Sequence, residues 1–271
     1  MGRFDMFGIG IRGFGGMTRE VIMPATLLLA VLCVWTPVTS SQVGGAGTSE
    51  SPPVPLDMLV ILDRSGSMAA VNWTGAISGL NSFFYDPDSS GTVVGLNSFG
   101  VDGAPDQCVP SLYDPPQVAL GELPGHATTL LNALFGQIPG GGTPTHPALQ
   151  GTLTFAVAHQ SGNPGHVVIV VLVTDGDPSE CDTSIAAIAG LASSAFNSNG
   201  IRTYVVGLPG ANQSSLDQIA AQGATFPAYI LADASLLGEA MSLIRVDAIG
   251  SLIFQDSFES GDTSAWSIVV P

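Results

Sequence analysis

Lysine is absent from this 271-residue chain, and six arginines stand against 22 aspartates and glutamates, for a formal net charge of −16. A surface so poor in cations repels nucleic acid and anionic membrane, and it favours cations and basic partners. Solubility in an extracytoplasmic setting explains that charge without any more specific role. Charged residues of either sign make up only 10% of the chain while apolar residues make up 45%, which argues against disorder and for a buried core. Cysteine is scarce too: Cys33, Cys108 and Cys181 form no C-x-x-C and no Cys/His spacing, so the cysteines give no support to zinc-ribbon or thiol redox chemistry. No P-loop occurs, nor a G-x-S-x-G elbow with a paired histidine. The longest apolar run near the start, Val21 to Trp35, is 15 residues interrupted by Pro24, too short and poorly flanked to span a bilayer.

That run has a different reading. It follows a weakly basic start containing Arg19 and precedes the small residues P-V-T-S-S-Q, the layout of a secretory signal peptide cleaved after Ser40 or Ser41. Residues 1–41 are therefore expected to be a leader, with Met17 as an alternative start. A lipoprotein anchor at Cys33 is disfavoured by Val31 and Leu32 before it. The expected location is secreted, periplasmic or cell-surface. Once the leader is gone, Cys108 and Cys181 remain, and an even pair in an exported chain suggests a disulfide, with two free thiols as the alternative. Residues 42–55 are Gly/Ser/Pro-rich and read as a linker.

From Leu56 onward, short apolar runs alternate with helical patterns, the sign of an α/β fold with a doubly wound, mostly parallel sheet. Strands are expected at Asp57 to Asp63, Thr92 to Phe99, Val167 to Val173, Arg202 to Val206 and Phe226 to Leu231, with a short edge strand near Val118. The first is continuous and not alternating, so both of its faces should be covered, and Val167 to Val173 is the strongest strand. Helices are expected at Val71 to Phe84, Leu130 to Ile138, Pro147 to His159, Ser184 to Phe196, Ser214 to Ala221 with Asn212 as cap, and Ser235 to Arg245. The strand opening at Asp57 and the strand ending before Asp175 should be neighbours where the strand order reverses, which is where open α/β sheets bind ligands.

Five hard oxygen donors fall in loops at that end: Asp63, Ser65 and Ser67 in V-I-L-D-R-S-G-S-M, Thr143 in G-G-G-T-P-T, and Asp175 in V-L-V-T-D-G-D. Magnesium takes oxygen ligands in near-octahedral geometry and keeps several waters. Each motif alone is a common turn; their order, spacing and context give them joint weight. The set resembles the metal-ion-dependent adhesion site (MIDAS) of von Willebrand factor type A domains, of the kind found in exported bacterial proteins. The resemblance implies a Rossmann-like domain over residues 56–248, with Mg²⁺ or Mn²⁺ held at Asp63, Ser65, Ser67, Thr143 and Asp175. It further implies a protein partner that offers an Asp or Glu carboxylate to the ion's open position. The expected function is therefore a non-enzymatic, metal-dependent binding module. A structural or assembly subunit of a surface or secretion apparatus is one alternative, and a metal-dependent hydrolase is a weaker one.

Five smaller expectations complete the reading. Asp177 is an exposed turn residue, and His146 a surface residue near a helix start. Arg64 lies at the rim, with a cationic side chain that would orient an acidic partner. His126, His159 and His166 show no metal-ligand spacing and receive no role. The acidic tail, 249–271, contains I-F-Q-D-S-F-E-S-G-D-T-S-A-W-S. It resembles segments that open jelly-roll carbohydrate-binding modules, but a sandwich needs roughly 100 residues, so it reads as an export or attachment tail or as a remnant packed on the domain.

Overall fold

A computed structural model describes residues 54–100 and 106–255. The leader, most of the linker and the tail beyond 255 lie outside the described residues. Six strands run through the described part: β1 (Leu56–Asp63), β2 (Val93–Phe99), β3 (Val118–Glu122), β4 (Val167–Thr174), β5 (Arg202–Gly207) and β6 (Tyr229–Ile230). Six helices join them: α1 (Val71–Phe84), α2 (Ala127–Leu134), α3 (Thr145–Gly162), α4 (Ile185–Asn199), α5 (Gln213–Gln222) and α6 (Leu237–Gln255). They form one sheet in the order β3-β2-β1-β4-β5-β6. All pairings are parallel except β2 with β3.

The apolar runs of β1 and β4 are continuous because the sheet is covered on both sides. Met58, Val60 and Leu62 of β1, with Ile169, Val171 and Val173 of β4, pack into a core shared with α1, α2 and α6. The alternate residues Leu59, Ile61, Val168, Val170 and Leu172 pack against α3, α4 and α5. Neighbouring side chains on a strand point to opposite faces, so each central strand supplies both cores. Each fully buried aliphatic side chain contributes on the order of 2 kcal/mol by leaving water. This two-sided burial fixes the register of β1 against β4, with Leu62 beside Val173. The register in turn sets Asp63 level with Thr174, with Asp175 one residue beyond, at the carboxyl ends of the two central strands.

Several boundaries differ from the sequence expectation. Helix α2 begins at Ala127 and stops at Leu134, because Leu130, Leu131 and Leu134 complete the buried stripe and Gly136 turns the chain at φ +84°. Ile138 is left 82% exposed, outside any helix. Strand β6 shrinks to two residues; Pro227, which cannot donate to a ladder, precedes it, and Phe226 is exposed. Helix α6 starts after a capped turn at Ala234–Leu236 and runs on to Gln255, well past Arg245. Asn212 occupies the cap position of α5, but its side chain donates to Asp177 and not to the helix backbone. The edge strand near Val118 exists and is antiparallel. Among the described residues no helix is long and apolar enough to cross a membrane.

Candidate metal centre

Strand β1 delivers Asp63 to the carboxyl edge of the sheet, and the next residues leave the sheet in a tight turn, Gly66–Met68. Asp63 is fully buried. Its Oδ1 accepts the Ser65 backbone N–H at 2.7 Å and its Oδ2 accepts the Thr174 hydroxyl at 2.5 Å. Burial pushes the Asp63 carboxyl up from 3.8 to about 6, and the nearby Asp175 adds to the rise. The Ser65 and Thr174 hydrogen bonds oppose it. A buried carboxylate held only by hydroxyl and amide donors remains costly as an anion.

Asp175 leaves β4 one residue beyond the strand. Its Oδ1 accepts the Ser67 hydroxyl at 2.6 Å, and its Oδ2 accepts the Asn72 side-chain amide at 2.8 Å. The Ser65 and Ser67 hydroxyls are 3.1 Å apart. Ser65 is buried and Ser67 exposed, so the chain of oxygens runs from the interior to the mouth. A continuous path, Ser65 to Ser67 to Asp175, therefore joins two loops more than a hundred residues apart in sequence.

The third loop is drawn in by its backbone. The Gly66 N–H donates to the Gly141 carbonyl at 3.0 Å, and the Gly140 N–H to the Arg64 carbonyl at 2.9 Å. Thr143, buried, follows two residues after Gly141. Its own N–H donates to the Ser179 hydroxyl at 2.9 Å, and its carbonyl accepts the Ser179 N–H at 3.2 Å. Gly100, at the end of β2, closes the arrangement. Its φ is +85°, and a Cβ there would lie 2.6 Å from the Ser65 nitrogen and 2.7 Å from the Gly142 oxygen. Only glycine lets the three loops approach this closely.

The structure thus places all five sequence-predicted donors on three loops laced together at one end of the sheet. Asn72 and Thr174, which orient the two carboxylates, were not anticipated. Asn72 also donates to the Pro209 carbonyl at 2.9 Å, so it ties α1 to the loop after β5. The available signal was a buried asparagine in the first turn of a helix and a threonine directly before T-D-G's aspartate. Arg64 is half-buried; its Nη1 donates to Gln137 at 2.9 Å and its Nε is buried without a partner. His146 sits half-buried in the first turn of α3, and Asp177 is exposed but bonded to Asn212 at 3.0 Å. Cys108 and Cys181 form a disulfide with a Cα–Cα distance of 5.5 Å, joining the loop after β2 to the loop after β4.

A donor set made only of hydroxyl and carboxylate oxygens, with Asp63 buried and uncompensated, fits a hard divalent cation. The family model of the von Willebrand factor type A domain matches residues 57–242. Among solved structures, the chain is similar to proximal thread matrix protein 1 of the mussel byssus, at 18% identity and a TM-score of 0.50. That match covers 72% of this chain and 48% of the mussel chain. The mussel protein with a zinc-occupied MIDAS motif matches with the same identity, coverage and score. A von Willebrand factor type A protein from Catenulispora acidiphila matches at 17% identity and a TM-score of 0.48, over 72% of this chain and 43% of that one. The chain spans about half the length of these structures, and at such identities the likeness is one of fold. No curated protein matches the sequence.

Proposed function

The chain belongs to the von Willebrand factor type A domain family, and on that premise we propose that it is a metal-dependent protein-binding module with a complete MIDAS. Ser65, Ser67 and Thr143 would hold the ion through their hydroxyls. Asp63 and Asp175 would act directly or through water, and they keep those hydroxyls in place. Magnesium or manganese suits the donors best; zinc joins them as a candidate because the mussel protein carries it in that motif. When bound, the ion supplies a strongly electrophilic position open to an anion, which a partner's Asp or Glu carboxylate would fill.

One observation carries the reading: the Ser67 hydroxyl is locked on Asp175 at 2.6 Å while Ser65 lies 3.1 Å from it. The oxygens are therefore arranged before any ligand arrives, which lowers the cost of binding. Val71 and Ile138, 77% and 82% exposed, flank the donor loops in sequence and offer apolar contact to a partner. The disulfide supports an exported location, in keeping with a leader over 1–41 and a domain over 56–248. The site reads as binding and not catalytic, and an assembly subunit would use the same geometry toward a neighbouring subunit.

Water-proton relaxation with Mn²⁺ tests the open position. The metal-stripped protein should bind Mn²⁺ with at least one fast-exchanging water, and a Glu-bearing peptide library should contain members that displace it. Bound Mn²⁺ with no exchangeable water would contradict an adhesion-type site.

A further inference from the structure

At the opposite end of the sheet, three residues from distant parts of the chain converge. Asp57 is the second residue of β1, His159 lies in the last turn of α3, and His166 directly precedes β4. The His159 Nε2 is 2.6 Å from Asp57 Oδ2, and the His166 Nδ1 is 2.8 Å from the same oxygen. Asp57 is 1% exposed, and its other oxygen, Oδ1, is buried with no hydrogen-bond partner. The two imidazoles are 22% and 34% exposed. Phe155 stacks on His159 with centroids 5.7 Å apart, and Asn163 donates to the His159 carbonyl at 2.9 Å.

We propose that Asp57, His159 and His166 form a second metal site, selective for zinc or a similar borderline divalent cation. Three arguments support it. First, the ligand atoms all lie within 4.8 Å of one another, and a four-coordinate ion needs them roughly 3.3 Å apart at bond lengths near 2.0–2.1 Å. Binding would therefore require ring and carboxylate rotations that lengthen the two N···O contacts from 2.6 and 2.8 Å. Second, Asp57 is buried and its Oδ1 has no hydrogen-bond partner, so the carboxylate is met on Oδ2 alone; a cation on that oxygen would supply charge compensation that a buried carboxylate otherwise lacks. Third, the donors are of a different kind from those around Asp63. Two imidazoles and one carboxylate suit Zn²⁺ and its first-row neighbours, whereas an all-oxygen set suits Mg²⁺.

The exposure is one-sided. Asp57 is sealed beneath the sheet edge while both rings reach solvent, so a bound ion would keep a fourth position for water or for a donor from another molecule. Phe155, stacked on the His159 ring, and the Asn163 side-chain amide, 3.4 Å from His159 Nδ1, hold that ring in place, as supporting residues do at known metal sites. The ion would also clip together the points where β1, α3 and β4 meet. The Val167 N–H already donates to the Pro55 carbonyl there, at 2.9 Å.

The test is a Zn²⁺ and Co²⁺ titration of the metal-stripped protein carrying Asp63→Ala and Ser65→Ala, which removes the first site and leaves the second. One equivalent should bind, with a visible d–d band for Co²⁺. Near 100-fold excess over Kd, zinc should raise Tm by roughly 5–10 °C. Adding His166→Gln should abolish both effects, with circular dichroism reporting whether that variant folds. Independently of any histidine variant, zinc should shift the ring ¹⁵N signals of His159 and His166 and leave those of His126 and His146 in place. No zinc uptake by the first-site variant, or uptake that leaves the His159 and His166 ring nitrogens unshifted, overturns the proposal. Either result leaves the reading of the Asp63 site standing, because that site is judged by Mg²⁺ binding to the unsubstituted protein.

Discussion

Replacing Gly100 by alanine separates the two costs of a tight glycine. The first is conformational: an alanine at φ +85° costs about 1–2 kcal/mol. The second is steric. The added carbon would lie 2.6 Å from the Ser65 nitrogen, where ordinary contact begins at 3.4 Å, so about 0.8 Å must be found by moving backbone. The Gly142 oxygen at 2.7 Å blocks the other direction, so the Ser65 loop and the triple-glycine loop must part. Overpacking of this kind costs about 1–3 kcal/mol, and the total is roughly 2–5 kcal/mol. Gly91 is the control: its φ is +83°, and nothing lies within 4 Å of its Cβ position. Gly91→Ala should therefore show the conformational cost alone. In thermal unfolding, the Gly100 variant should melt several degrees below the Gly91 variant, at about 2–4 °C per kcal/mol for a domain of this size. Calorimetric titration should also show weaker Mg²⁺ binding for Gly100→Ala only, by about 10–100-fold. If the two variants melt together and bind Mg²⁺ equally, the loops are not packed on Gly100 and the account of the site's assembly is wrong.

Asn72→Ala removes the amide that holds Asp175 at 2.8 Å; it should cost about 1.5–3 kcal/mol in urea unfolding and weaken Mg²⁺ by about 10–100-fold, and unchanged affinity would make Asn72 a purely structural residue. The metal-free protein should lose stability as pH rises. Burial holds the folded Asp63 carboxyl at about 6 against 3.8 unfolded, so the stability tied to its protonated form is fully present below 3.8 and lost as pH passes 6. That loss is on the order of 2–3 kcal/mol, and a urea-midpoint profile equally steep in Asp63→Asn would assign it elsewhere. Cys108→Ser with Cys181→Ser opens a bridge between residues 73 apart; it should cost on the order of 4 kcal/mol, and a double variant that melts at the temperature of the oxidised unsubstituted protein would contradict that.

The central strands were legible because their burial is written as uninterrupted apolar runs; Val167 to Val173 is the clearest. Helix α1 was legible to both ends, since Trp73, Leu80 and Phe84 mark its buried stripe and the Asp86-Pro87-Asp88 turn follows at once. Helix α2 was misplaced because Phe135 and Ile138 continue the apolar count without being buried, and α6 was cut short at Arg245 although Ile244 and Ala248 carry its buried face past that charge. The five oxygen donors could be seen because each follows a strand or a glycine turn. Asn72 and Thr174 could not, because their role depends on which carboxylate oxygen the fold turns toward them. The cluster at Asp57 was invisible for a related reason. His159 and His166 have no recognised ligand spacing, and their carboxylate comes from about a hundred residues earlier.

The central claim, that Asp63, Ser65, Ser67, Thr143 and Asp175 hold a divalent cation, is tested most directly by Mg²⁺ titration calorimetry. The metal-stripped protein would be titrated beside its Asp63→Ala, Ser65→Ala variant. One saturable site in the unsubstituted protein, lost in a variant that still folds, is the predicted result. No Mg²⁺ binding to the unsubstituted protein, or binding that survives both substitutions unchanged, would contradict it.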